Sequence, residues 1–328
     1  MAIRVLVTAA LLAAVWFLVD LPELARTFAD LEIGALSVAV GLTLSLRVLS
    51  AFRWHVILAA HDVASSFRKL LKITFVSHSI GYMSPGGLGT EVARAYQAGA
   101  AYGEISSAIS SVLVDRVIGL ISMLVIAIAM GLYLSRSNPE FIDVVAGSAL
   151  LLLAIAVAIA VASTAAGRKA VQLLPDRPPF GRIKPGLDRL VRTFTDHGRN
   201  VRLLAPISGL SLVMQIVRAL TFWALFMAVG AEVSVLHCLV FIPLLFVALS
   251  LPISVGGIGV REGGLALLFS RVGVGVEESV ATGLVFYALQ LLFIVPGLVI
   301  FLLDPVRRPG SARHRGSPAS RDSAAAES

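Results

Sequence analysis

The sequence predicts an all-α polytopic membrane protein, with about six full transmembrane helices and two glycine-broken re-entrant hairpins in an inverted repeat. Three observations predict it. Of 328 residues, 57% are hydrophobic and 14% charged, against roughly 45–50% and about 25% in soluble domains. Charge-free stretches of bilayer length recur, at 144–167, at 279–303, and at 233–260 with only His237 inside. About 20 apolar residues cross the hydrocarbon core as a helix, and open strands there would leave backbone groups unpaired. Finally, one glycine-rich motif occurs twice, at corresponding places in two halves of the chain.

Each element follows from its charges. Arg4 precedes an apolar run, 5–19, with no small-x-small cleavage site before Glu23, so it reads as an uncleaved first span. The loop 20–32 carries Asp20, Glu23, Asp30 and Glu32 against Arg26 and reads as outside. The second span covers 33–49, with the helix continuing to 58. It leads into Arg47, Arg53, Arg68, Lys69 and Lys72, which mark the cytoplasmic side, with Trp54 and His55 at the interfacial belt. A weaker apolar region, 70–101, is broken at 84–89, and neither half is long enough to span. A strong span, 111–134, opens with Asp115-Arg116. After a turn containing Asn138-Pro139 comes a span over 142–162.

The segment 167–203 carries nine Lys or Arg against three Asp and reads as a cytoplasmic loop. Leu187, Leu190, Val191 and Phe194 recur at helical spacing within it, the pattern of either a lipid-surface helix or a solvated one. The second half repeats the first: a span over 204–229 with Arg218 inside, an acidic turn at Glu232, an apolar stretch over 235–269 broken at 254–259, and a last span over 279–303. One membrane domain therefore covers 1–305, with halves of about 33–135 and 204–303. A disordered cytoplasmic tail covers 306–328. The reading places the chain in the inner (plasma) membrane with both termini cytoplasmic. Positive-inside asymmetry accounts for the net charge of +7, so nucleic acid is not an expected partner. The single cysteine, Cys238, sits in an apolar run and reads as a small buried hydrophobe. The scattered histidines offer no metal pair, and no cofactor is expected.

The repeat is the most informative feature. Ser84-Pro85-Gly86-Gly87-Leu88-Gly89-Thr90-Glu91 matches Ser254-Val255-Gly256-Gly257-Ile258-Gly259-Val260-Arg261. Breaking a helix at membrane depth needs backbone conformations that a Cβ forbids, and it frees amides and carbonyls that must face protein or water. Both breaks therefore read as lining a cavity, with close helix packing at the glycines as the alternative. The charge pattern makes the first hairpin enter from the cytoplasm and the second from outside, as in inverted-repeat transporters with a midplane site.

Ionisable residues inside spans are functional hypotheses by default. Glu91 and Arg94 follow the first break, and Arg261 and Glu262 follow the second. Glu91 aligns with Arg261, so the repeat pairs them across its pseudo-dyad. Each break also starts a helix whose N-terminal amides favour an anion. Arg116 reads equally as a cavity residue or a snorkelling one, Arg218 as cavity-facing or paired, and Asp115 as the partner of a nearby Arg or Lys. His78 and Tyr82 are further cavity candidates. The candidate lipid- or substrate-binding set is Ser84, Gly86, Gly87, Gly89, Glu91, Arg94, Asp115, Arg116, Arg218, Gly256, Gly257, Gly259, Arg261 and Glu262.

Arg53-Trp54, the Pro85-Gly-Gly-x-Gly89 break through Arg94, Asp115-Arg116-x-x-Gly119 and Pro252 through Arg261-Glu262 together resemble the flippase-like transmembrane family named for the membrane half of lysylphosphatidylglycerol synthases. The resemblance runs from about residue 5 to 303. It implies a membrane domain associated with moving modified phospholipids, or lipid-linked sugars, between leaflets. In the synthases aminoacyl transfer belongs to a separate soluble domain, for which the residues after the last span leave no room, so the expectation is a lipid-handling protein and not a synthase. Val255 stands where the first break has Pro85, so the halves are not chemically equivalent. No Gly-x-x-x-x-Gly-Lys-Ser/Thr loop is present. The expected partners are membrane lipids with an anionic head group, with a membrane-enzyme partner also open. Two alternatives stand beside lipid handling: a secondary transporter for a soluble anion, and an accessory subunit of a lipid- or polyprenyl-phosphate-modifying enzyme.

Overall fold

The structure is a computed structural model describing residues 21–59, 65–83, 89–102, 105–164, 169, 201–251, 254 and 256–303. The first span expected over 5–19, the break residues Ser84, Gly86 and Gly87, most of the basic loop and the tail from 306 lie outside those residues. Among the described residues ten α-helices run in chain order: α1 Leu21–Ala29, α2 Ile33–Ala59, α3 Phe67–Met83, α4 Gly89–Tyr102, α5 Ile105–Leu134, α6 Phe141–Ser163, α7 Val201–Ala228, α8 Val235–Leu249, α9 Val260–Phe269 and α10 Val276–Leu303. No strand occurs among the described residues. Among the described residues five helical stretches are long and apolar enough to cross a membrane: α2, Ser111–Leu134 of α5, Phe141–Val161 of α6, Ala205–Ala228 of α7 and α10. The chain is a multi-pass α-helical membrane protein, as its composition predicts.

Of the remaining five helices, four form the two broken elements and α1 is a short helix ahead of α2. α3 and α4 have 17 and 14 residues, and α8 and α9 have 15 and 10. At about 1.5 Å per residue all four fall short of a hydrocarbon core of about 30 Å. Each pair packs together, α3 on α4 and α8 on α9.

Contacts fix the direction of each element. The Glu32 amide, just before α2, donates to the Ala228 carbonyl at the end of α7 (2.9 Å), so α2 and α7 are antiparallel. Arg53, near the end of α2, reaches Asp115 near the start of α5 and Ser211 near the start of α7. The end of α2 and the starts of α5 and α7 therefore share one face. α3 begins on that face, and its Ser79 Oγ donates to the Ile294 carbonyl of α10 (2.8 Å). A Cβ on Gly297 would fall on Ser79 Oγ and on the Phe75 carbonyl. Residues earlier in α3 thus meet residues later in α10, so α10 ends on the face where α2 ends and starts on the other. The first hairpin leaves from and returns to the face of the end of α2. The second links the end of α7 to the start of α10 and belongs to the opposite face.

The side chains agree. His237, early in α8, stacks on Phe141 at the start of α6 (5.9 Å between centroids), while Phe246, late in α8, meets Arg218 in the middle of α7 (4.4 Å). α9 then returns, bringing Phe269 against Phe226 near the end of α7 (4.4 Å). Each hairpin thus reaches mid-height and turns back, in opposite senses.

Of three apolar clusters among the described residues, the two largest fix this arrangement. The larger joins α7 to α10 through Phe222, Phe226, Phe241, Leu265 and Phe286, with Cys238 fully buried in it. The smaller joins α2 to α5 around Trp54, Leu70, Ile73, Ala98 and Val112. Trp54 is 0% exposed, so it is a core residue and not the interfacial anchor its position suggested; its Nε1 donates to Ser111 Oγ (3.1 Å). α6 packs chiefly on α5 and exposes Leu150, Leu153, Val157 and Val161, the lipid-facing pattern of a peripheral span.

The α3–α10 contact runs backbone to backbone, so added volume has nowhere to go. Gly297→Leu is expected to destabilise the protein by about 1–3 kcal/mol through overpacking. Gly147→Ala, where an added Cβ meets nothing within 4 Å, should be neutral or slightly stabilising. Thermal unfolding of both variants in detergent checks the contrast.

Candidate functional site: an arginine-rich cavity between the two hairpins

Three spans place a polar side chain near mid-length: Arg47 in Ile33–Ala59, Arg218 in Ala205–Ala228 and Gln290 in Val276–Leu303. Each lies on the order of 15–20 Å from either helix end. The hairpin breaks arrive at the same depth. Between them lies a cavity of about 400 Å³, lined by residues of α2, both hairpins, α5, α7 and α10. Of the sequence-predicted residues, Glu91, Arg94, Asp115, Arg116, Arg218, Gly256, Gly257 and Arg261 line it, together with Ser254 and His78. Gly259 and Glu262 sit just behind the wall, in the first turn of α9. The side chain of Tyr82 is outside the described residues.

The glycines of the second break serve the purpose the repeat suggested. Gly256, Gly257 and Gly259 have φ of 65°, 77° and 80°, a region that side-chain-bearing residues rarely enter. The amide end of α9 is not left for a ligand, however. Glu262 Oε2 accepts from the Gly259 amide (2.7 Å), so the protein supplies its own anion to that terminus, the glutamate half of a capping box, since Gly259 has no side chain to return the bond.

Asp115 organises the end of the cavity nearest the face where α2 ends. Arg53 Nε lies 2.7 Å from its Oδ1 and Arg94 Nη1 lies 3.1 Å from its Oδ2. All three side chains are nearly inaccessible, at 7–8% exposure. Arg53 also donates to Ser211 Oγ (2.9 Å), and its guanidinium packs beside Gly119, 3.6 Å from where a Cβ would stand. Arg94 lies over the Trp54 ring (4.3 Å). One carboxylate thus serves two guanidinium groups and joins α2, α4 and α5.

The expected Glu91–Arg261 pair does not form. Glu91 Oε1 accepts from Arg116 Nη1 at 2.5 Å, and these side chains are 31% and 29% exposed. Arg116 Nη2 also donates to the Ser250 carbonyl of the second hairpin (2.7 Å). Arg261 turns instead to its neighbour Glu262 (3.7 Å) and the Gly256 carbonyl (3.1 Å), and lies over the rings of Phe286 and Tyr287. The reason is geometric. Arg116 projects from α5 between the hairpins and meets Glu91 first, while Arg261 is drawn into its own cap.

At mid-height, Arg47 donates to His78 (2.6 Å to Nε2) and to Gln290 Oε1, tying α2, α3 and α10 together. Arg218 donates to Gln215 on its own helix (2.5 Å) and lies on the Phe246 face. Six arginines line the cavity against two carboxylates, Glu91 and Asp115. By sequence, Arg47 and Arg53 belong to the cytoplasmic flank and Gln290 carries no signal. The signal available was that α2 continues as one uninterrupted helix to Ala59, which carries both arginines inside the helical span.

A helical membrane protein with two opposed broken hairpins around a cationic midplane cavity is the class that this fold and site define. Within that class, the chain belongs to the family described as the lysylphosphatidylglycerol synthase TM region, which it matches over residues 1–297. No curated protein matches the chain.

Removing the shared carboxylate should cost more than removing the exposed one. Asp115→Asn leaves Arg53 and Arg94 buried without a counter-charge and is expected to destabilise by about 3–5 kcal/mol. Glu91→Gln, with its partner nearly a third exposed, should cost about 1 kcal/mol or less. Chemical unfolding of the two variants side by side measures the difference.

Proposed function

We propose that the protein translocates a phospholipid or lipid-linked head group between leaflets through the cavity between its hairpins, with the acyl tails remaining in the bilayer. The observation that carries this reading is six arginines around one midplane cavity. Placing charge at that depth is expensive, and such residues mark a path for something charged. Hairpins from opposite faces meeting there give the cavity walls on both sides that can part, as alternating access requires. Leu251 lines the cavity yet is 58% exposed, which supports a side opening through which lipid tails would extend into the bilayer. Membership in a family named for a lipid synthase's membrane region supports lipid as the cargo.

In this reading residues 1–305 form one membrane domain. The protein lies in the plasma membrane with the face at the end of α2 cytoplasmic, where Arg68, Lys69 and Lys72 follow. Arg116 and Glu91 gate the cavity where the hairpins meet. Arg94 and Arg53, fixed by Asp115, keep its inner end positive.

The test is translocation by the purified protein in liposomes, read with fluorescent anionic and zwitterionic lipids and an impermeant quencher. Translocation above empty liposomes is expected. The double variant Glu91→Gln with Arg116→Gln, which removes both members of the pair and leaves no bare charge, should lower the rate about ten-fold or more at unchanged folding. An unchanged rate in the folded double variant would remove this pair from the path. Saturable uptake of a soluble anion that no lipid competes would replace the lipid reading with a transporter of soluble solutes.

A further inference from the structure

The charges in the cavity do not balance, and the imbalance says something about the ligand. Asp115 is shared by Arg53 and Arg94, Glu91 is taken by Arg116, and Glu262 lies beside Arg261. No described carboxylate comes within salt-bridge distance of Arg218. It donates to Gln215 and lies on the Phe246 ring. The residues between the helices of each hairpin, 84–88 and 250–259, contain no acid that could neutralise it. Counting Glu262, three carboxylates face six arginines among the described residues.

The aromatic surroundings show how Arg218 is held. Phe246 stands edge-on to Phe286 (6.2 Å), and Phe222 packs on both. Arg218 lies on Phe246 and Arg261 on Phe286. Two guanidinium groups, one from a rigid span and one from the second hairpin, are thus supported on one aromatic cluster. Cation–π support fixes a guanidinium without consuming its charge, and a planar fork of donors matches phosphate oxygens. A head group with one negative charge would leave the surplus largely uncompensated at a depth where bare charge is costly.

We infer that Arg218 is the phosphate-contacting residue of the cavity and that its ligand carries two or more negative charges, as a phosphomonoester or a diphosphate does. This rests on the proposed function for the site but not on translocation itself. The phosphate could belong to a lipid or to a soluble anion, and the chemistry is shared.

The experiment is equilibrium binding to the purified full chain in detergent, followed by the shift in melting temperature with ligand concentration. The probes are phosphatidic acid (a phosphomonoester), phosphatidylglycerol (a phosphodiester), phosphatidylcholine and inorganic pyrophosphate, at a pH of roughly 9, well above the second ionisation of about 6 for a simple phosphomonoester, so that the lipid is doubly ionised in the micelle. Phosphatidic acid should bind about ten-fold or more tightly than phosphatidylglycerol, and Arg218→Gln should abolish the preference, the scale expected for a hydrogen-bonded charge contact. Arg218→Lys, which keeps the charge but not the fork, should retain part of it and decides the matter if the glutamine variant does not fold. Pyrophosphate displacing the lipid supports the class with a lipid source. Pyrophosphate binding without lipid binding supports the class with a soluble one. Equal affinity for the two anionic lipids, or a preference kept intact in folded Arg218→Gln, overturns the inference. Because binding needs no transport, a protein that binds with this preference but moves no lipid loses only the proposed function.

Discussion

The carboxylate of Asp115 sits where water is scarce, and two guanidinium groups converge on it. Isolated, any one of these charges would be prohibitively costly at that position, and together each makes the others tolerable. The arrangement draws Arg53 of α2, Arg94 of α4 and α5 itself to one point, with Ser211 of α7 as a neutral fourth contact. The first hairpin is therefore anchored by electrostatics at its returning helix and by a close, almost featureless backbone approach at its entering helix, where Ser79 meets α10. The cavity exists because these contacts hold the hairpin away from the second one without filling the space between.

The two hairpins are related in sequence but solve the same problem differently. The second closes its break with three glycines in left-handed backbone conformations and stoppers the start of α9 with Glu262. In the first, the position of Glu262 is held by Val92, and the aligned Glu91 faces outward to Arg116. Similar breaks thus carry opposite charge arrangements: a carboxylate turned in to its own helix on one side, and a carboxylate turned out to a neighbour on the other. The cavity they share is asymmetric for that reason, with its carboxylates gathered on the first-hairpin side and Arg218 with its aromatic support on the other.

Much of this was legible in the sequence. Composition and charge-free length specify helical spans, because the bilayer leaves the backbone few alternatives, and the repeated Gly-Gly-x-Gly locates both breaks. The opposite entry of the hairpins also followed from counting charges, and the contacts between α3 and α10 arrive at it independently. Pairing was not legible. Sequence alignment of the repeats put Glu91 opposite Arg261, but which arginine reaches a carboxylate depends on where α5 runs between the hairpins, a long-range fact with no local signature. Arg47 and Arg53 were misplaced for a related reason. A run of Lys and Arg after a span resembles a cytoplasmic flank, and only the unbroken length of α2 shows that the first two of its basic residues are still inside. Trp54 likewise looked like an interfacial anchor and is instead the floor beneath Arg94.

Arg116 touches both hairpins, through a carboxylate on one and a main-chain carbonyl on the other. The two attachments are unequal, since a charged acceptor holds a guanidinium more strongly than a neutral one. Any motion that parts the hairpins must break one attachment, and the weaker breaks first. Arg116, held on α5, would then keep its pair with Glu91 and leave the carbonyl of Ser250 bare. That exposed acceptor, at the end of α8, would make the freed hairpin the wetter of the two, so the first water to enter a widening cleft would do so beside the second break and not the first.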